Sequence, residues 1–325
     1  VRAVRAYTEY HSLPAPSVFH MNEGHAGFLG LERIRELHAG GLDFDSALAA
    51  VRASTVFTTH TPVPAGIDRF PADLVRLYFG DGTAESSLLP GIEMERILEL
   101  GRESDPAVFN MAHMGLRSAQ RANGVSKLHG IVSRGMFDEL WPGFDASDVP
   151  IGSVTNGVHA PTWASQRWLD LAARTVGTRT MEEAQGWEQL GEVSASDLWE
   201  TRSALRSELV TEVRRRVRNS ALERGSTDAE LAWTDDVFDP SVLTVGFARR
   251  VPTYKRLTLM LRQPERLRAM LLDPVRPVQL VVAGKSHPAD DGGKALIQQI
   301  VRFADQHEVR HRIVFLPDYD MSMAR

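Results

Sequence analysis

The chain has 325 residues, with 37 Lys and Arg against 42 Asp and Glu, a formal net charge of −5, 43% hydrophobic residues and no cysteine. These figures exclude a disordered chain and a disulfide scaffold. They also remove a thiolate nucleophile and any Cys-ligated metal. No run reaches the roughly eighteen apolar residues of a membrane helix, and the acidic balance argues against a nucleic acid gripped by charge. The length exceeds the roughly 250–300 residues one hydrophobic core supports, so two domains are expected. The sequence opens on Val1 and closes on the helix-opening stretch Asp320-Met-Ser-Met-Ala-Arg325, which reads as a piece of something longer.

Pro16–Met21 is a short apolar run and predicts a buried strand. A helix is expected from about His25 to Leu37, with Phe28, Leu31 and Ile34 three apart and Gly40-Gly41 closing it. A second helix starts near Asp43, and the β-branched run Ser54–Thr59 predicts a strand. Thr61–Gly66 is punctuated as a loop. From Pro106 to Leu140 two helices are expected, broken at Asn123-Gly124, and Pro150–Thr155 predicts another strand. Leu198–Leu222 reads as one helix, with Leu198, Leu205, Leu209, Val213 and Val217 on its apolar face. Its run of Arg214, Arg215, Arg216 and Arg218 is better taken as a solvated face than as a nucleic-acid patch.

The remainder alternates clearly. Val242–Phe247 predicts a strand, Thr258–Met270 a helix, Pro277–Ala283 a strand, Ala295–Gln306 a helix and His311–Leu316 a strand. That alternation is the signature of a parallel α/β sheet.

The chemistry gathers at predicted strand ends, where open α/β sheets bind ligands. Arg249-Arg250 and Tyr254-Lys255-Arg256 place four cations between a strand and the next helix. Arg forks and helix N-termini favour phosphate, and the bland alternative is a solvated basic loop. A second basic loop, Gly284-Lys285-Ser-His287, falls at the same edge if the strands are parallel. Neither loop matches a Walker or dinucleotide fingerprint. His20 and His25 lie five apart, which is not the zinc spacing, so no metal is expected. Glu23, His60 and Asn156 follow three predicted strands and suit a ligand rich in hydroxyls; satisfied structural roles are the alternative.

These residues resemble the α-glucan (glycogen, starch and maltodextrin) phosphorylases, most closely the shorter bacterial branch. The resemblance is carried by His20-Met-Asn-Glu-Gly-His-Ala-Gly-Phe28, Thr58-Thr-His-Thr-Pro-Val-Pro-Ala-Gly66, Asn110-Met-Ala-His113, Asn123–His129, Thr155-Asn-Gly157, Gly246-Phe-Ala-Arg-Arg250, Thr253-Tyr-Lys-Arg256 and Ala283-Gly-Lys285. It covers about residues 16 to 325 and implies GT-B architecture, with two Rossmann-like domains facing each other across a cleft, both incomplete here. Residues 1–157 would close the glucan-side domain, and 158–325 would open the phosphate and cofactor side.

The implied reaction is reversible phosphorolysis of a terminal α-1,4-glucosidic bond to glucose 1-phosphate by a cytoplasmic enzyme using pyridoxal 5′-phosphate. Its partners would be α-1,4-glucan and inorganic phosphate, without nucleic acid or membrane, and a homo-oligomer is open to the full-length form. By resemblance, His60 contacts the reacting glucose, Asn156 its 6-hydroxyl, and Glu23 takes the place of an acidic residue near the sugar. Arg250 and Lys255 look like the cations that hold substrate and cofactor phosphates, with Arg249 and Tyr254 beside them. In the family the cofactor lysine lies C-terminal of everything seen here and the Gly-rich loop near the substrate phosphate lies upstream of it all, so the chain alone is expected to be inactive. Val251-Pro252 departs from the commoner Phe-Ala wording. The rival readings are a nucleotide-sugar α-glucosyltransferase, whose Lys-Thr-Gly-Gly loop is not found, and a non-catalytic glucan-binding remnant.

Overall fold

The computed structural model describes residues 1–178, 187–251, 256–286, 288, 290–306 and 308–325. The chain divides into two compact units, Val1–Gly157 and Val158–Arg325.

The first unit runs α1 (Arg2–Tyr10), β1 (Phe19–Asn22), α2 (Phe28–Ala39), α3 (Phe44–Ala53), β2 (Thr55–Thr59), β3 (Arg69–Pro71), α4 (Ala72–Phe79), α5 (Met94–Gly101), β4 (Val108–Asn110), α6 (Met111–Arg117), β5 (Arg121–Gly124), α7 (Lys127–Met136) and β6 (Ile151–Ser153). Its main sheet has the order β1-β2-β5-β6, and every pairing in it is parallel. β3 and β4 form a separate antiparallel pair. Asp43 caps α3 by accepting the Ser46 amide at 2.8 Å, and Ser126 caps α7 by accepting that of His129 at 3.1 Å. One core packs Leu31 and Ile34 of α2 against Ala47, Val51, Ile97, Met111 and Met114. A second gathers Met21, Phe57, Leu116, Phe137 and Ile151.

The second unit holds α8 (Ala160–Trp163), α9 (Gln166–Val176), α10 (Ala195–Glu223), β7 (Leu243–Arg250), α11 (Pro264–Leu271), β8 (Val278–Lys285), α12 (Asp291–Gln306), β9 (Ile313–Leu316) and α13 (Met321–Ala324). β7, β8 and β9 lie in that order and all pair in parallel. In β8 successive side chains point to opposite faces. Leu280 and Val282 pack with Leu271, Ile300 and Phe303, whereas Val281 and Ala283 pack with Val210, Val213 and Val217 of α10. Both faces are covered, which explains an unbroken apolar run where alternation would mark a half-exposed strand.

Three expectations are corrected. Asn123-Gly124 does not break a helix; it ends β5, which is held between β2 and β6. A Cβ at Gly124 would lie 2.8 Å from the Gly130 amide nitrogen, so the glycine serves a close strand-to-helix approach rather than a left-handed stop. The helix expected over Thr258–Met270 is a 3-10 stretch, Leu257–Arg262, followed by α11, because Pro264 cannot continue the preceding turn. On α10, Leu198 and Leu209 are exposed, while Val210, Val213, Val217 and Ala221 are buried. The arginines of its basic run have partners within the chain. Arg215 and Arg216 pair with Glu212, Arg218 pairs with Asp228, and Arg214 donates to the Val237 and Phe238 carbonyls.

Candidate functional site

The carboxyl ends of β1, β2, β5 and β6 form one edge of the first sheet, and side chains cross-link the first three of them. Thr58 Oγ1 donates to Asn123 Oδ1 at 3.1 Å. Its single proton is thereby used, so His20 Nε2, 2.7 Å away, is the donor in the bond between them. Asn123 Nδ2 donates to the Gly124 carbonyl at 3.2 Å.

Glu23 follows β1 and His60 follows β2, on neighbouring strands. The half-buried Glu23 carboxylate accepts from Thr59 Oγ1 at 2.5 Å, the His60 amide at 3.1 Å and Thr61 Oγ1 at 2.5 Å. Lengths near 2.5 Å are those of a hydroxyl donating to a charged carboxylate. The chain can turn here because Gly24 adopts φ +82, where a side chain would be strained. The exposed His60 ring places Nε2 3.2 Å from Asn22 Oδ1.

Asn156 lies past β6, two strands from β2 in the sheet order, or about 10 Å at ordinary strand spacing. Its amide donates to the Val125 carbonyl at 3.1 Å and its side chain is exposed. The Val125 amide in turn donates to His129 Nδ1 at 3.1 Å. Glu23 and His60 are thus in direct contact, and Asn156 joins them only through the shared sheet edge.

Asn110 and His113 have structural roles. Asn110 Oδ1 caps α6 by accepting the Ala112 and His113 amides. His113, 2% exposed, is held between the Arg102 carbonyl, 3.0 Å from Nδ1, and Glu139, 3.1 Å from Nε2. Burial pushes its pKa below the ordinary 6.5, against the opposing pull of the Arg102 carbonyl and Glu139.

In the second unit the basic edge is built largely from backbone. β7 extends through Arg249 and Arg250, which stand opposite Gly284 and Lys285 of β8. Both strands are longer than the sequence suggests, so these residues belong to the strand ends themselves. Arg249 and Lys285 are exposed. The Val251 amide donates to the Lys285 carbonyl at 3.2 Å. Two glycines allow this approach: a Cβ at Gly284 would lie 2.6 Å from Val251 Cγ2, and one at Gly293 would lie 2.6 Å from the Val251 carbonyl oxygen. Tyr254, Lys255 and His287 lie outside the described residues, as do Pro252 and Thr253.

Among the described residues, no group of three or more His, Cys, Asp and Glu comes together as a metal site. No helix among them is long and apolar enough to cross a membrane. The sequence reading missed Asn22, Thr59 and Thr61, which hold Glu23 and His60 in place. They adjoin the singled-out residues in the chain, but their bonds cross between two strands and leave no local signal.

Fold and strand edges together define an α/β protein whose parallel sheets present an interlocked polar edge in one unit and a basic edge in the other. No family model matches the chain. It is 68% identical over 328 positions to the glycogen phosphorylase of Mycobacterium tuberculosis, a match covering 100% of this chain and 38% of that relative. It is 36% identical over 313 positions to the maltodextrin phosphorylase of Thermococcus litoralis, covering 95% of the chain and 36% of the relative. It is likewise 36% identical over 315 positions to the glycogen phosphorylase of Aquifex aeolicus, covering 94% and 44%. The chain therefore belongs with the α-glucan phosphorylases, whose sequence it follows along its whole length. It spans less than half the length of each of these relatives.

Proposed function

We propose that the protein carrying this chain is an α-glucan phosphorylase of GT-B architecture. Val1–Gly157 supplies the glucan side and Val158–Arg325 the phosphate side. The observation that carries this reading is the contrast between the two strand edges. One presents His60 and Asn156 to a neutral, hydroxyl-rich ligand; the other brings Arg249, Arg250 and Lys285 to adjoining strand ends.

In the proposed reaction the C1–O bond of a terminal glucosyl residue breaks and a phosphate oxygen bonds to C1. The proton ends on the oxygen of the departing glucan, giving α-glucose 1-phosphate. His60 and Asn156 orient the sugar by hydrogen bonds. Arg249, Arg250 and Lys255 hold phosphate, and fixed cations are worth most where negative charge is concentrated in a site closed to water.

Pyridoxal 5′-phosphate fits the basic edge by its chemistry. Cations at adjoining strand ends, with glycines at 284 and 293 drawing the backbone close, suit a phosphate group. Arg250 and Lys255 would hold that group. When bound, it supplies a phosphate that exchanges a proton with the substrate phosphate. The reading places the enzyme in the cytoplasm.

The test is an assay of a protein of the relatives' full length that contains this chain, given maltoheptaose and inorganic phosphate. Formation of glucose 1-phosphate, and its loss in Arg250→Ala, are expected. Glucosyl transfer from ADP-glucose with none to phosphate would overturn the reading in favour of a synthase, and maltoheptaose binding indifferent to phosphate would favour a remnant.

A further inference from the structure

We propose that Asn22 and Glu23 are positioning residues for His60, and that Glu23 is not itself a sugar ligand. The inference rests on the proposed reading of His60 as a glucan contact, and it changes the role that the resemblance suggests for Glu23.

A carboxylate offers about four acceptor positions. Three at Glu23 are taken by donors from a single turn: the Thr59 hydroxyl, the His60 amide and the Thr61 hydroxyl. All three belong to the chain leaving β2. The Thr59 residue is fully buried, so its hydroxyl has no water to replace Glu23. Glu23 therefore fixes the main chain on both sides of His60. Its own amide donates to the Thr58 carbonyl at 3.0 Å, which closes the clamp from the β1 side.

The preceding residue acts on the ring. With the Asn22 side-chain oxygen Oδ1 3.2 Å from Nε2, the neutral imidazole carries its proton on Nε2. Nδ1 is then left as an acceptor, able to receive a sugar hydroxyl. Adjacent residues of one strand exit thus set the two properties a binding histidine needs: Glu23 sets where its backbone lies and Asn22 sets which nitrogen accepts. A sugar ligand would need acceptor positions that Glu23 has largely committed to its own chain.

The test takes as its starting chain a protein of the relatives' full length that contains these residues, and compares it with Glu23→Ala, Glu23→Gln and Asn22→Ala by NMR, reading amide exchange at His60 and the imidazole nitrogen shifts. The starting chain should show the Nε2-protonated tautomer. Glu23→Ala should speed His60 amide exchange by about tenfold or more, as expected for loss of a charge-assisted hydrogen bond. Glu23→Gln keeps a carbonyl acceptor and should retain most of the protection, which separates positioning from general unfolding. Asn22→Ala should mix the tautomers and leave His60 amide exchange unchanged. Equal exchange in the starting chain and Glu23→Ala, or an unchanged tautomer in Asn22→Ala, would overturn the proposal. Maltoheptaose then serves as the probe for the reading beneath it. It should shift His60 in the starting chain and in Glu23→Gln but not in Glu23→Ala, and equal shifts in all three would also overturn the proposal. If maltoheptaose shifts nothing in the starting chain, the glucan reading falls, and the exchange data still decide the clamp.

Discussion

The exits of β1 and β2 in the first unit and of β7 and β8 in the second are both parallel strand ends, but they are held by different physics. At β1 and β2, side chains lock one another: Glu23 gathers three donors and Asn22 meets His60. At β7 and β8, close backbone approach does the work: Val251 bonds to the Lys285 carbonyl, and Gly284 and Gly293 leave room for it. A neutral ligand is oriented by directional hydrogen bonds, so its groups must be fixed in angle as well as place. A multiply charged anion is held by charge and main-chain N–H groups, so the backbone must come near while the cations stay exposed. The first edge should therefore be sensitive to losing a polar atom and the second to gaining a methyl group.

The largest effect is expected at the second edge. Gly293→Ala sets a Cβ 2.6 Å from the Val251 carbonyl oxygen, a backbone atom that cannot rotate away. Overpacking of this kind costs about 3 kcal/mol, and urea unfolding of the second unit should show it. An unchanged midpoint would break the claim that glycine sets this edge. Glu23→Ala comes next, at about 2 kcal/mol, because the buried Thr59 hydroxyl and the His60 amide lose their acceptor. Thermal unfolding checks it, with Glu23→Gln expected to recover at least half the loss. Ser126→Ala removes the cap of α7, which packs behind the β5 exit, and should cost about 1 kcal/mol by the same measurement.

The smallest effect lies away from both edges and serves as a control. Hydrogen bonds from Arg35 and then Arg2 hold the Glu32 carboxyl at about 2, below its ordinary 4.5. Because the folded pKa is the lower one, this stabilisation is present above about pH 4.5 and is lost as the pH falls toward 2. Glu32→Gln should lower stability by less than about 1 kcal/mol at pH 7, with the gap to the starting chain closing near pH 2. A gap that stays constant with pH would contradict the assignment.

Much of the fold was legible because its signals are local. Asp43 announces α3 as a cap, Gly40 ends α2, and the apolar run of β8 marks a strand covered on both faces. β5 was misread because Asn123-Gly124 looks like a helix stop, and only pairing with β2 and β6, distant in sequence, makes it a strand. At the candidate site Glu23, His60 and Asn156 stood out by type and by falling after strands. What Glu23 does there was not legible, since its partners come from a strand 36 to 38 residues away. Arg249 and Arg250 were found as cations. Their place within β7 was not, because charged residues at a strand end resemble a loop until register with Gly284 and Lys285 is known.

The division of labour between the two edges is tested most directly by ligand titration of a protein of the relatives' full length that contains this chain, followed at these residues in NMR spectra. Maltoheptaose should shift His60 and Asn156 in the first unit, inorganic phosphate should shift Arg249 and Lys285 in the second, and neither ligand should move the other's set. Both ligands shifting the same unit, or phosphate shifting neither Arg249 nor Lys285, would contradict the account.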